Sequence, residues 1–385
     1  VVNKFQRILG LKVSENLKDH TNIPEEIRPI VFISHMEHHS NQTSWLETIA
    51  DVEVVPCNSE GLVCLESFEK CIKKHEHRKI KIVSMTSCSN VTGIKTPYHK
   101  VAKLIHSYNG LCFVDFACCA PYVDINMHPD GEDEYLDAIY FSPHKFLGGP
   151  GSAGVLVFNK RLYKNTVPDN PGGGTVSYTN PWGQHDYFDD VETREDGGTP
   201  AFLQTIRIAL AIQLKEKMGT KNIKNRENEI NKVIFKTLES LEGVKILAPN
   251  QKERLSIFSF YFEKYHFNLV VKLLNDRFGI QTRGGCSCAG TYGHFLLNVN
   301  QETSNRIKGE ILQGCNTAKP GWVRLSVHPT ITDKEVAFVC TSLKELSKNI
   351  ENWSKDYGYN SIKNEYDHKT VQPIENALVT AWFAF

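Results

Sequence analysis

Charge of one sign does not prevail in this sequence: its 44 Lys and Arg residues are matched by 44 Asp and Glu. A chain without a net field has no general attraction for nucleic acid or an anionic membrane, so function must reside in local sites. Long apolar runs are also lacking, and nothing approaches the roughly 20 residues that span a bilayer. The first residues, VVNKFQRILGLKV, have neither the apolar centre nor the small-residue cleavage site of a secretory leader. The 11 cysteines are odd in number and scattered, several of them inside apolar runs (Cys112, Cys118, Cys119). This usage argues against a secreted disulfide framework and for a reducing compartment, read here as the cytoplasm. No repeat, low-complexity tract or GxxxxGK[ST] phosphate loop occurs, so a nucleotide reading is weak.

What is present is ordinary globular composition, 41% apolar and 23% charged, over 385 residues. That is enough for a large core in one or two domains. In the first half, β-branched runs (30–34, 52–56, 79–87, 111–116) alternate with helical patterns (41–50, 65–75, 97–110). Strand–helix alternation implies right-handed crossovers and a mostly parallel sheet with helices on both faces, an α/β architecture. Residues 168–200 read as a long Gly, Pro and Asp-rich loop of the kind that is usually functional. Helical patterns at 201–218 and 221–241 follow. Strands are then expected at 254–262 and 321–327, and helices at 267–278 and 333–350. We place a large domain over 1–218, a smaller α+β domain over 219–350, and a tail over 351–385 whose apolar end is expected to dock on the body.

Ligands of open α/β sheets sit at the carboxyl ends of the strands. There the sequence places Glu37, His38 and His39, then Asn90, Asp115, and Ser142, His144 and Lys145. Each has a plain reading. A turn lysine is ordinarily a solvated charge, Asp115 could cap a turn, and paired histidines could be a polar turn. Taken together they suggest more. Ser142 and His144 can donate to a phosphate beside glycines that let the backbone approach closely. A lysine shielded from water can form a Schiff base with an aldehyde cofactor, and an aspartate at a strand end can hold a pyridine nitrogen protonated. His38 could stack on the ring or shuttle protons. Zinc is a poorer reading of His38 and His39, because neighbours in an extended segment point to opposite sides.

The motifs MEHHSN, VDFACCAPYVDI, FSPHKFLGGPGSAGVLV, DGGTP, TRGGCSCAG and WVRLS resemble, in order and spacing, the class V aminotransferase family of pyridoxal phosphate enzymes. The resemblance is nearest the cysteine desulfurase and selenocysteine lyase branch, and it covers about residues 1–350. It implies the transferase fold of type I and pyridoxal 5'-phosphate as cofactor. It implies Lys145 as the Schiff-base lysine, Asp115 on the ring nitrogen, His38 stacked on the ring, and Ser142 and His144 at the phosphate. Asn90 matches a position near the ring hydroxyl and substrate carboxylate, and Arg324 matches the arginine that clamps that carboxylate, with Arg283 as a further substrate contact. Gly198 and Thr199 match a segment that reaches a neighbouring subunit's phosphate, which implies a homodimer with shared sites.

Cys288, five residues after Arg283, matches the thiolate that takes sulfur from the substrate. A packing role, or half of a metal site with Cys286, are its other readings, and Cys118 and Cys119 would complete such a metal cluster. Sulfur removal from L-cysteine to give alanine is the first expectation, with an acceptor protein as a possible partner. Transamination to a keto acid is the alternative, and a truncated non-catalytic relative the third. Three departures from the family stand out. Cys118 replaces a glutamine and is a weaker donor. Cys286 and Ser287 replace two histidines that commonly precede the desulfurase cysteine. A threonine turn that caps the phosphate is expected before the position of Val1, so the sequence reads as part of a longer chain.

Overall fold

The computed structural model describes all residues except 19, 371–373 and 385, and leaves the side chains of 374–377 undescribed. The chain divides into two compact units, one spanning Val1–Arg226 and the other from Glu227 onward.

The first unit is built on β1 (Ile30–Ser34), β2 (Asp51–Val55), β3 (Lys81–Thr86), β4 (Leu111–Asp115), β5 (Ala138–Phe141) and β6 (Val155–Phe158). Their spatial order is β2-β1-β3-β4-β5-β6; β1 to β5 are parallel, and β6 turns back antiparallel to β5. Every residue of β1 and β3 is buried, the state that continuous apolar runs of a two-faced parallel sheet require. Phe5, Val31, Ile33, Trp45, Ile82 and Phe113 form a core against this sheet, with Phe5 edge-on to Phe113 at 4.9 Å. The helix expected from residue 41 begins two residues earlier, spanning His39–Leu46, because His38 caps it. The expected loop at 168–200 contains a small hairpin, β7 (Val176–Thr179) and β8 (His185–Tyr187), and a short helix, Val191–Glu195, capped by Asp190. Three- and four-residue strands on an exposed hairpin leave too short an alternation to read from sequence.

The second unit contains an antiparallel sheet of β9 (Val244–Ile246), β10 (Ile257–Phe262), β11 (Arg283–Gly285) and β12 (Trp322–Ser326), in the order β11-β12-β10-β9. Its core joins Phe258 and Phe260 on β10 and Val323 on β12 to Leu273, Leu343 and Leu346 from the helices Phe267–Phe278 and Asp333–Trp353. The second helix opens on a capping box between Thr332 and Glu335. Residues assigned to the tail contribute structure here. β13 (Tyr357–Asn360) and β14 (Glu365–His368) form a hairpin, and Tyr357 is buried in this core. The expected docking of the apolar end is not observed: Leu378, Val379, Trp382 and Phe383 are exposed, and 385 lies outside the described residues. Among the described residues no helix is long and apolar enough to cross a membrane.

Candidate active site

The carboxyl ends of β1, β3, β4 and β5 open into one cavity of about 650 Å³. Seven residues singled out from sequence line it: His38, Asn90, Asp115, Cys118, Ser142, His144 and Lys145.

Lys145 ends a 3-10 turn, Pro143–Lys145, that follows β5 directly. The turn is held by the Lys145 amide donating to the Ser142 carbonyl at 3.0 Å and by the Gly149 amide donating to Phe146 at 2.9 Å. Gly149 cannot be replaced without opening the loop, since a Cβ there would lie 1.9 Å from the Pro143 carbonyl oxygen. Lys145 and His144 are exposed at the cavity rim rather than shielded from water.

Asp115 closes β4 and is buried, with one carboxylate oxygen accepting the Ala117 amide at 2.8 Å. Burial pushes its carboxyl above the ordinary value, while the Ala117 N–H and the charge of Lys145 oppose the shift. His38 is fixed differently. As helix N-cap, its Nδ1 accepts the Ser40 amide at 3.1 Å, so in the neutral ring the proton resides on Nε2. The extended arrangement assumed for His38 and His39 therefore holds only for His38, because His39 is already helical.

Behind the cavity lies a buried network to which sequence reading gave no role. The Glu37 carboxylate accepts the Ser34 hydroxyl at 2.5 Å, the Thr86 amide at 3.0 Å and the Asn41 amide at 2.7 Å. Asn41 in turn accepts from Trp45 Nε1, the Ser84 hydroxyl and the Tyr140 hydroxyl, and Tyr140 lines the cavity. Burial raises Glu37 to about 7 despite these donors, and pushes Tyr140 well above the usual phenol value. Part of the signal was available: Ser84 and Tyr140 sit inside otherwise apolar strands, where each polar group must find a partner.

Gly198 and Thr199 do not line this cavity. They lie on an exposed segment, with the Gly198 amide donating to the Gly173 carbonyl at 2.8 Å.

A second constellation belongs to the second unit. Arg283 on β11 and Arg324 on β12 are direct cross-strand partners. Like charges facing each other are unfavourable in a sheet, and an anion between them would relieve the repulsion. Arg283 also donates to the Cys288 sulfur at 2.9 Å. Ser287 and Cys288 both adopt left-handed backbone, with φ of 54° and 57°. For residues with a Cβ this costs roughly 1–2 kcal/mol each, strain of a kind that clusters at functional sites. Among the described residues, no group of three or more His, Cys, Asp or Glu side chains is arranged to hold a metal ion.

The pattern of the family described as Aminotransferase class-V matches residues 15–339. A probable cysteine desulfurase of Halalkalibacterium halodurans is 30% identical over 264 residues, covering 67% of this chain and 61% of that protein. One from Staphylococcus aureus is 27% identical over 296 residues, covering 74% and 68%. The match thus spans under two thirds of the first relative's length. The fold is shared with the apo cysteine desulfurase of Thermococcus onnurineus, at a TM-score of 0.71 and 23% identity over 90% of this chain and 77% of that one. It is also shared with Escherichia coli CsdA in its S-sulfonic acid form, at a TM-score of 0.69 and 22% identity over 84% and 73%. With the family pattern running through both the β5 lysine turn and the paired arginines, this chain belongs to the class V aminotransferase family.

Proposed function

We propose that this protein binds pyridoxal 5'-phosphate at Lys145 and removes sulfur from L-cysteine, leaving alanine. The observation that carries the reading is one cavity lined by an amine, a buried carboxylate and the phosphate-type donors Ser142 and His144. This donor set fits the group: an amine for an aldehyde, a carboxylate for a ring nitrogen, and a hydroxyl and imidazole for a phosphate. When bound, pyridoxal phosphate supplies an aldehyde carbon that takes up amino groups and a ring that accepts electrons from the substrate carbon.

The protein's own residues do the rest. Asp115, buried at the end of β4, would hold the ring nitrogen where little water competes for it. His38, pinned through Nδ1, keeps Nε2–H as a donor, and Asn90 and Cys118 supply polar edges on the same wall. Lys145 would hold the aldehyde group, and its amine, when free, would serve as the base that takes the substrate's α-proton and returns one. Arg324 and Arg283 bind the substrate carboxylate, a planar anion suited to guanidinium forks. The Cys288 thiolate attacks the substrate sulfur, forming an S–S bond as the C–S pair passes to the β-carbon, which is then protonated. In balance, Cys288 thiol and L-cysteine give Cys288 persulfide and alanine. An acceptor thiol or protein then discharges the persulfide.

The reading includes a homodimer. On the helix Phe202–Met218, Phe202, Leu203, Ile206 and Leu210 are all more than half exposed and fall within about a third of the circumference. In such a dimer the family resemblance gives Gly198 and Thr199 a place at the partner's phosphate. The cysteine usage supports a reducing compartment, the cytoplasm. The test is a visible spectrum of the full chain with pyridoxal phosphate before and after L-cysteine, with alanine, sulfide and keto acid assayed together. Alanine with sulfide supports the proposal, a keto acid points to transamination, and no spectral band near the Schiff-base region overturns cofactor binding.

A further inference from the structure

The site uses Cys118 only as a weak donor and Cys88 not at all, yet the fold places them side by side. Cys88 follows β3 and Cys118 follows β4, neighbouring strands in register at Thr86 and Asp115. Both thiols point to one acceptor, the Ser89 carbonyl oxygen, at 3.7 Å each. The Cys118 thiol also lies near enough to help hold the Cys88 thiol protonated. Both line the cavity, Cys88 fully buried and Cys118 half-buried. Cys119 is engaged elsewhere, 2.8 Å from the Ser87 hydroxyl.

We propose that Cys88 and Cys118 are a dithiol in the cavity wall that a hydroperoxide closes to a disulfide. The Cys118 sulfur, reached through the cavity, attacks a peroxide oxygen; the O–O bond breaks, leaving a sulfenic acid and water. The Cys88 sulfur then attacks that of Cys118, and hydroxide leaves as water with the Cys88 proton. In balance, two thiols and hydrogen peroxide give one disulfide and two waters. Burial holds the Cys88 thiol protonated, opposed by Lys95 on the bridged strand segment, which suits Cys88 to the second step rather than the first. Closure removes the Cys118 donor and re-aims its side chain, so it lowers cofactor uptake. Only this consequence rests on the function proposed above.

The experiment takes the reduced full chain through hydrogen peroxide, then maps its tryptic peptides without reductant. The expected product links Ile82–Lys95 to Leu104–Lys145, lighter by two hydrogens and separated again by dithiothreitol. Further digestion places the link on Cys118. Cys88→Ser and Cys118→Ser each abolish the link, and Cys119→Ser retains it. The wild-type map decides the matter even where a variant fails to fold. A link through Cys119, or sulfinic acids at Cys88 and Cys118 without any link, overturns the proposal. Pyridoxal phosphate uptake, measured in parallel, should be lost on oxidation and regained with dithiothreitol, and unchanged uptake overturns the stated consequence. A linked peptide in a protein that binds no pyridoxal phosphate even when reduced leaves the dithiol standing and refutes the functional reading.

Discussion

The two units handle charge in opposite ways. In the first, acids are buried at the ends of parallel strands: Asp115 closes β4 and Glu37 lies in the turn after β1, each with its carboxyl raised by burial. In the second, positive charges are set face to face on an antiparallel sheet, with Arg283 and Arg324 opposite each other and Cys288 on a strained turn beside Arg283. A parallel sheet converges its strand ends on one crevice and can hold a group from several sides. An antiparallel sheet sets pairs of side chains face to face, which suits clamping a small anion. The cofactor chemistry is accordingly assigned to the first unit, and carboxylate recognition and sulfur acceptance to the second.

The largest effect should come from Lys145→Ala. Loss of the general base costs on the order of 10²–10⁴ in turnover, and borohydride should no longer trap a pyridoxal phosphate adduct. Cys288→Ala separates the units: alanine and persulfide formation should vanish, while pyridoxal phosphate uptake stays as in wild type. Unchanged desulfuration in this variant would refute the role given to Cys288. Arg324→Lys keeps the charge but loses the fork, and at about 1.5–3 kcal/mol for a charged hydrogen bond KM for L-cysteine should rise some 10- to 100-fold. An unchanged KM would place the carboxylate elsewhere.

The smallest effect concerns stability. Glu37 is raised to about 7 in the folded chain against an ordinary 4.5, so the native state holds more protons than the unfolded one between these values. Its contribution is therefore present at low pH and lost as pH rises through about 7. Denaturant titrations at pH 5 and pH 8 should show wild type losing more stability over this window than Glu37→Gln. Equal losses would mean that Glu37 is already ionised at pH 5.

Much of the first unit was legible in sequence because buried parallel strands are written as uninterrupted apolar runs. The strand at 30–34 and the helix at 267–278 were read at the ends they have. The polar residues after those strands followed from the rule that ligands sit at strand ends. What could not be read depends on long-range register. The facing of Arg283 and Arg324 requires knowing that β11 pairs with β12, and three-residue strands carry no periodicity. The network joining Glu37, Asn41, Ser84 and Tyr140 spans 99 residues from Asn41 to Tyr140. The left-handed turn at Ser287 and Cys288 was hidden for another reason, since nothing in a serine or cysteine announces a positive φ.

The most direct test of the account is a peptide map of the pyridoxal phosphate-loaded full chain after L-cysteine, alkylated to preserve persulfides. The account predicts one additional sulfur on Cys288, formed in step with alanine and absent in Lys145→Ala. Alanine formed with no sulfur on Cys288, or sulfur on Cys288 in the Lys145→Ala protein, would contradict it.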